Sequence, residues 1–228
     1  MKINFYTYLV SFYKSLLLEK RKSNVNTSLE VVYSKGKLML DSDRANYSFG
    51  GLHTVFQTTF SKNKIQNRDI KNVLIVGFGS GSIASILQDE YGKNIEIVGV
   101  EKDQVVIDLA NKYFTLERYK NLKLYCEDAY DFVQRHSQKF DLIVMDVFVD
   151  LEVPEKLSED QFISSLGKLL SESGILFYNL VIHNEKTRSK GAKVFEKMNV
   201  LIGDTKWDKL IKEKTENWIF ICDKKKKL

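Results

Sequence analysis

From residue 72 onward, short apolar runs alternate with longer segments whose apolar residues recur at helical spacing. Residues 73–77 form the first run, and a strand without polar side chains suits a parallel sheet covered on both faces. Residues 80–91 follow, with Ile83, Ile86 and Leu87 on one helical face. Residues 95–100 predict a second buried strand, and Val105, Ile107, Leu109, Ala110 and Phe114 suit the helix after it. The alternation continues with a strand over 122–126, a helix over 129–135 and a strand over 140–146. A helix over 159–170, a strand over 174–181, a helix over 189–198 and a last strand over 218–222 complete it. Strands separated by helical segments in this way build βαβ units, so an α/β fold with a mostly parallel sheet is predicted.

Residues 28–61 follow a different pattern. Two short apolar stretches flank Ser34-Lys35-Gly36-Lys37 and predict a β-hairpin. Residues 45–51 read as a loop ending in Gly50-Gly51, and 52–60 as a helix. At the start of the chain Phe5, Leu9, Phe12, Tyr13, Leu16 and Leu17 keep helical spacing. They predict an amphipathic helix docked on the body or on a second copy of the chain, which leaves a homodimer open. These readings divide the chain into an N-terminal helix and hairpin module (1–61), an α/β body (62–223) and a basic tail (224–228).

Composition narrows the class. A chain of 228 residues with 43% hydrophobic and 29% charged residues is ordinary for a globular protein. Cys126 and Cys222 stand far apart with no CxxC, which excludes a disulfide scaffold or a zinc cluster built on thiols. His53, His136 and His183 show no metal spacing, and no Ser-His-Asp grouping or P-loop is legible. The net charge is +5, but four of the positive charges are Lys224, Lys225, Lys226 and Lys227. The body is therefore close to neutral and carries no signature of a nucleic-acid groove. Lys14 interrupts the apolar N-terminal run and no small-x-small cleavage site follows. Neither a signal peptide nor a membrane span is expected, and the location expected is cytoplasmic.

Ligands of open α/β sheets bind beyond the carboxyl ends of the strands. After the first strand comes Gly77-Phe78-Gly79-Ser80-Gly81-Ser82, a turn that brings backbone close to a ligand. The dinucleotide fingerprint needs a third glycine where Ser82 stands. Glu101 follows the second strand, where a carboxylate can accept both hydroxyls of a ribose. Asp128-Ala129 follows the third; Asp128 can cap the next helix or accept from an adenine amino group. Asp146 follows the fourth, where an acid can hold an amine and remove its proton, or bond nearby N–H groups. Four such signals at four consecutive corners point to one adenosine-like ligand.

The block Val73-Leu-Ile-Val-Gly-Phe-Gly-Ser-Gly81, with Glu101, Asp128 and Asp146, resembles the class I S-adenosylmethionine-dependent transferases. Phe140-Asp-Leu-Ile-Val-Met-Asp146, Leu157-Ser-Glu-Asp-Gln-Phe162 and the upstream Leu38-Met-Leu-Asp41 with Tyr47 are similar to the spermidine synthase branch. The resemblance implies a doubly wound, mostly parallel, seven-stranded Rossmann-like sheet with a small N-terminal hairpin module. It also implies S-adenosylmethionine or its decarboxylated form as group-donating co-substrate, with Gly77, Gly79, Ser80, Gly81, Glu101, Asp128 and Ala129 around it. Asp146 matches the catalytic acid, and Tyr47, Phe148 and Asp150 fall on the acceptor side.

The chain departs from that branch in its carboxylates. Ser80 replaces an acid in the glycine turn, Tyr-x-Glu becomes Tyr47-Ser48-Phe49, and Asp-x-x-Asp-Pro becomes Asp146-Val147-Phe148-Val149-Asp150. Each lost bond to a charged amine is worth roughly 1.5–3 kcal/mol. Methyl transfer to a small nucleophilic acceptor is therefore expected ahead of aminopropyl transfer to a polyamine, on a more apolar pocket formed by Tyr47, Phe49 and Phe148. A binding protein that kept the fold without the chemistry is the second expectation. An NAD-dependent oxidoreductase is the third, disfavoured by Ser82.

Overall fold

The computed structural model describes residues 4–42, 46–149, 151–212 and 215–224. The N-terminal part is a four-stranded antiparallel sheet, β1 (Leu16–Arg21), β2 (Leu29–Ser34), β3 (Lys37–Ser42) and β4 (Asn46–Ser48), in that order. Its central hairpin is the one predicted. Lys35 and Gly36 at the tip have φ of 50° and 74°, and two positive φ values match the right-handed twist of the flanking strands.

The helix expected to reach Leu17 is shorter. It spans only Phe5–Val10 (α1), because Ser11 leaves it for the hairpin. The Ser11 carbonyl accepts the Lys35 N–H at 2.8 Å and its hydroxyl accepts the Gly36 N–H at 2.9 Å. Leu16 and Leu17 belong to β1 instead. Tyr8 and Phe12 pack on the hairpin tip, while Phe5, Tyr6 and Tyr13 are exposed.

The body follows in chain order as α2 (Gly51–Lys62), β5 (Asn72–Val76), α3 (Ser82–Ala84, widening into a π turn over Ser85–Glu90) and β6 (Glu96–Glu101). Next come α4 (Gln104–Phe114), β7 (Leu122–Cys126), α5 (Ala129–Arg135), β8 (Phe140–Met145), α6 (Asp160–Leu169) and β9 (Leu170–Ile182). The chain closes with α7 (Glu185–Leu201), β10 (Gly203–Lys212) and β11 (Thr215–Lys224). The seven-stranded sheet runs β10-β11-β9-β8-β5-β6-β7, parallel from β9 to β7 and antiparallel at β10 and β11. Strand β10 completes the seven strands that the resemblance implies, although the residue pattern alone does not place it. Its Lys206, Asp208 and Lys209 hide the apolar alternation, as suits an edge strand, yet it pairs residue for residue with β11 from Gly203↔Lys224 to Lys212↔Thr215.

Alternation along β5 shows how the layers form. Val73 and Ile75 face a core with Phe56 and Phe60 of α2, while Leu74 and Val76 face a core with Phe162 of α6 and Met198 of α7. A third, smaller core joins Leu29, Val31 and Leu40 of the N-terminal sheet to Val106 and Leu109 of α4. Glu19 of β1 clasps the same helix, accepting from Lys112 at 2.5 Å and from the Tyr113 hydroxyl at 2.6 Å. These partners hold its carboxyl down at about 2. The N-terminal sheet is thereby fixed beside the carboxyl ends of β5, β6 and β7. No helix among the described residues is long and apolar enough to cross a membrane.

Candidate active site

Strands β6 and β8 both flank β5, so the chain reverses its direction of winding there, and that is where open α/β sheets bind ligands. Gly77 leaves β5 with φ of 85°. A Cβ on it would lie 2.3 Å from the Asp146 carbonyl oxygen, so only glycine lets the ends of β5 and β8 approach. The Asp146 N–H in turn donates to the Val76 carbonyl at 2.8 Å.

A cavity of ≈ 300 Å³ opens over these strand ends. Gly77, Gly79, Glu101, Asp128, Ala129, Asp146 and Phe148 all line it. The four corners read from the sequence thus converge on one space. Ser80 and Gly81 shape the turn but do not line the cavity. The Ser80 N–H is turned toward the Ser48 hydroxyl at 3.2 Å, and its side chain is buried behind the wall. The Tyr47 side chain and Asp150 lie outside the described residues. Phe49 does not form the apolar acceptor wall expected of it. It stacks on Phe114 with ring centres 5.2 Å apart and packs with the N-terminal core.

Each acid is held in its own way. Glu101 is buried and accepts from the Gly79 and Asp103 amides, each at 3.0 Å. Burial pushes its carboxyl up against those two bonds. Asp128 caps α5 by accepting from the Tyr130 N–H at 3.0 Å, and also receives Lys156 at 2.7 Å and Lys102 at 3.0 Å. Burial pushes this carboxyl up, but the two ammonium groups outweigh it and hold it below the usual range. Both readings of Asp128, cap and ligand acceptor, are compatible with this position. Asp146 accepts from Asn179 at 2.9 Å, and burial, only partly opposed by that bond, pushes it up to about 7.

Several wall residues escaped the sequence reading. Lys156 enters from the turn after Pro154, and Val25 and Asn26 come from the loop after β1. Asn26 and Ser23 both bond the Asp103 carboxylate at the start of α4, which ties that loop to the cavity rim. Asn179 had a legible signal, as a lone amide within the apolar run Leu176-Phe-Tyr-Asn-Leu-Val181. A serine, a histidine and an acid also meet here although no such grouping was legible. His53 of α2 stands between Ser82, at 2.7 Å, and Glu90, at 2.8 Å. His183 instead faces Glu152 at 3.9 Å, outside the cavity. Cys126 is exposed, while Cys222 is buried.

The fold and this rim of corners define a Rossmann-like α/β protein whose cavity lies at the switch point of its sheet. The spermine/spermidine synthase domain matches residues 58–200, and the chain belongs to that family. A polyamine aminopropyltransferase of Vibrio vulnificus is 34% identical over 112 residues, 48% of this chain and 37% of that one. The chain matches only 37%, 31% and 40% of the length of the first relatives compared. Among solved structures, a spermidine synthase in complex with the transition-state analogue AdoDATO superposes with a TM-score of 0.68 at 13% identity, covering 92% of this chain and 74% of that one. Human methyltransferase-like protein 13 in complex with SAH gives 0.58 at 19% identity, covering 77% and 79%. At these identities the structural likeness concerns the fold.

Proposed function

We propose that the chain transfers a group from an adenosyl sulfonium co-substrate to an amine, with aminopropyl transfer from decarboxylated S-adenosylmethionine as the first reading. Asp146 carries it. A carboxyl on the cavity wall, bonded to Asn179 and raised to about 7, can take the proton of an attacking amine near neutral pH. The residues present suit such a co-substrate: Glu101 for the ribose hydroxyls, Asp128 and Ala129 for the adenine, and the Gly77 and Gly79 backbone for the donated group. The co-substrate supplies a carbon beside a cationic sulfur. The amine lone pair forms the new C–N bond, the C–S pair stays on sulfur as a neutral thioether, and Asp146 receives the proton. The chain's own contribution is alignment and proton removal. Membership of the spermine/spermidine synthase family puts aminopropyl transfer ahead of the methyl transfer expected from the sequence.

Methyl transfer is the second reading, supported by the acceptor side of the wall. Val147, Phe148 and Val149 follow Asp146 there, and the other described carboxylates of the lining, Glu101, Glu127 and Asp128, come from the ends of β6 and β7. Incubation with decarboxylated S-adenosylmethionine and a short diamine such as putrescine, with products read by mass spectrometry, tests the order. Spermidine together with methylthioadenosine supports the first reading. S-adenosylhomocysteine formed from S-adenosylmethionine, with no aminopropyl product, replaces it with the second. Failure of calorimetry to detect any adenosyl sulfur compound would leave a non-catalytic binding protein on this fold.

A further inference from the structure

The Ser82–His53–Glu90 chain spans three segments and ends at the cavity. Glu90, on the π turn after α3, accepts from His53 Nε2 at 2.8 Å and from the Gln57 amide at 3.0 and 2.8 Å. A carboxylate that accepts from Nε2 leaves the proton there, so Nδ1 is the acceptor of the neutral ring. In that neutral tautomer Ser82 donates its hydroxyl proton to Nδ1 at 2.7 Å. Phe49 stacks on the imidazole with centres 5.3 Å apart and 22° between planes, which fixes the ring against rotation.

The consequence lies at Ser82 Oγ. Its only proton is committed to His53, so what it offers the cavity is lone pairs, made more electron-rich by the Glu90 charge relayed through the ring. Ser82 lines the cavity and is otherwise buried. The other hydroxyl of this turn, on Ser80, does not reach the cavity. Ser48 lines it, but its oxygen already accepts the Ser80 N–H. The two corners suited to adenosine follow β6 and β7, whereas Ser82 follows β5, between them and the Asp146 corner after β8. A serine hydroxyl bonded to Nδ1, with the acid on Nε2, also reverses the ring-nitrogen use of a serine hydrolase triad.

We propose that Ser82, polarised by His53 and Glu90, accepts a hydrogen bond from the ammonium end of the co-substrate. Ser82 is the contact, and His53 and Glu90 are positioning residues. The inference rests on the adenosyl reading of the cavity, and its test separates the two. Two thioethers differ at the required place: S-adenosyl-3-thiopropylamine carries the ammonium and methylthioadenosine lacks it.

Calorimetry on the full chain should show Ser82→Ala weakening S-adenosyl-3-thiopropylamine by about ten- to hundredfold, the range of one bond to a charged group. Methylthioadenosine affinity should stay unchanged. Glu90→Gln, which leaves the cavity wall intact, should shift the same ligand in the same direction by a smaller factor. Equal weakening of both ligands, or of neither, in Ser82→Ala overturns the assignment while leaving the adenosyl reading standing. Failure of the unaltered chain to bind methylthioadenosine overturns both.

Discussion

The Gly79 amide donates to Glu101 Oε2 at 3.0 Å, so the turn after β5 is pinned to the last residue of β6. The other oxygen takes the Asp103 amide, which starts α4. One buried carboxylate therefore sets both the shape of the glycine turn and the first turn of the helix that carries the N-terminal sheet. A strand-end acid in this position organises the cavity before it binds anything.

Glu101→Gln tests that double duty. An amide offers one acceptor where the carboxylate offers two, so its NH2 group must face either the Gly79 or the Asp103 N–H. Leaving one buried donor unmet costs about 1–3 kcal/mol. Thermal unfolding should register that loss in the unliganded protein. Methylthioadenosine should then protect the variant less than the parent, because the ribose acceptor is weakened as well. A variant as stable and as well protected as the parent would remove both roles.

Asp146 gives a pH dependence of defined sign. As general base it must be ionised, so kcat/KM should rise with pH through about 7 and then level. Asn179 favours the ionised form, so Asn179→Leu should move that rise to higher pH. Stability runs the other way. The folded carboxyl holds its proton from its ordinary value near 3.8 up to about 7, so its contribution to stability declines as pH climbs through that window. Asp146→Asn should lower turnover by about 10²–10⁴-fold while making the fold more stable than the parent above pH 7. A flat pH–rate profile, or unchanged turnover in Asp146→Asn, would strip Asp146 of the base role.

Asp128 caps α5 and faces the cavity, and two substitutions separate those tasks. Ser keeps a capping oxygen for the Tyr130 N–H, whereas Ala removes it at a cost of about 1 kcal/mol. Both variants lose the Lys156 and Lys102 pairs, and Asp128→Ala loses the cap as well, so it should unfold below Asp128→Ser. Both should weaken methylthioadenosine by about tenfold or more, as an acceptor for the adenine amino group is lost. Undiminished binding in Asp128→Ser would leave the residue a cap alone.

What the sequence made legible follows from burial. The runs over β5, β6, β8 and β9 are apolar because both faces are covered, and the residues that end them must be polar or glycine. Gly77, Glu101 and Asp146, at the ends of β5, β6 and β8, could therefore be placed on one rim, with Asp128 added by its place after the half-covered β7. Strand β10 was hidden by its edge position, where lysines alternate with Trp207 and Leu210. Helix α1 was overextended because helical spacing carries no trace of the bonds from Ser11 to the distant Lys35 and Gly36. Phe49 misled in the same way, since its partner Phe114 is far along the chain. The Ser82–His53–Glu90 chain depends wholly on α2 crossing beside α3, which no local pattern encodes.

Gly77→Ala bears on the contact that brings β5 and β8 together, and Gly92→Ala supplies its control. Both glycines have positive φ, 85° and 63°, so alanine at either meets a conformational penalty of about 1–2 kcal/mol. A Cβ at position 92 meets nothing within 4 Å. At position 77 it would lie 2.3 Å from the Asp146 carbonyl oxygen, a backbone atom that cannot turn aside as a side chain could. Urea unfolding of the two variants should therefore show a modest midpoint shift for Gly92→Ala and a larger one for Gly77→Ala, with m unchanged. Because relief of the clash requires the backbone at Asp146 to move, Gly77→Ala should also lose turnover, while Gly92→Ala keeps it. Equal midpoints for the two variants would mean that β5 and β8 are held apart by more slack than the structure gives them, and Gly77 would then be needed only for its turn.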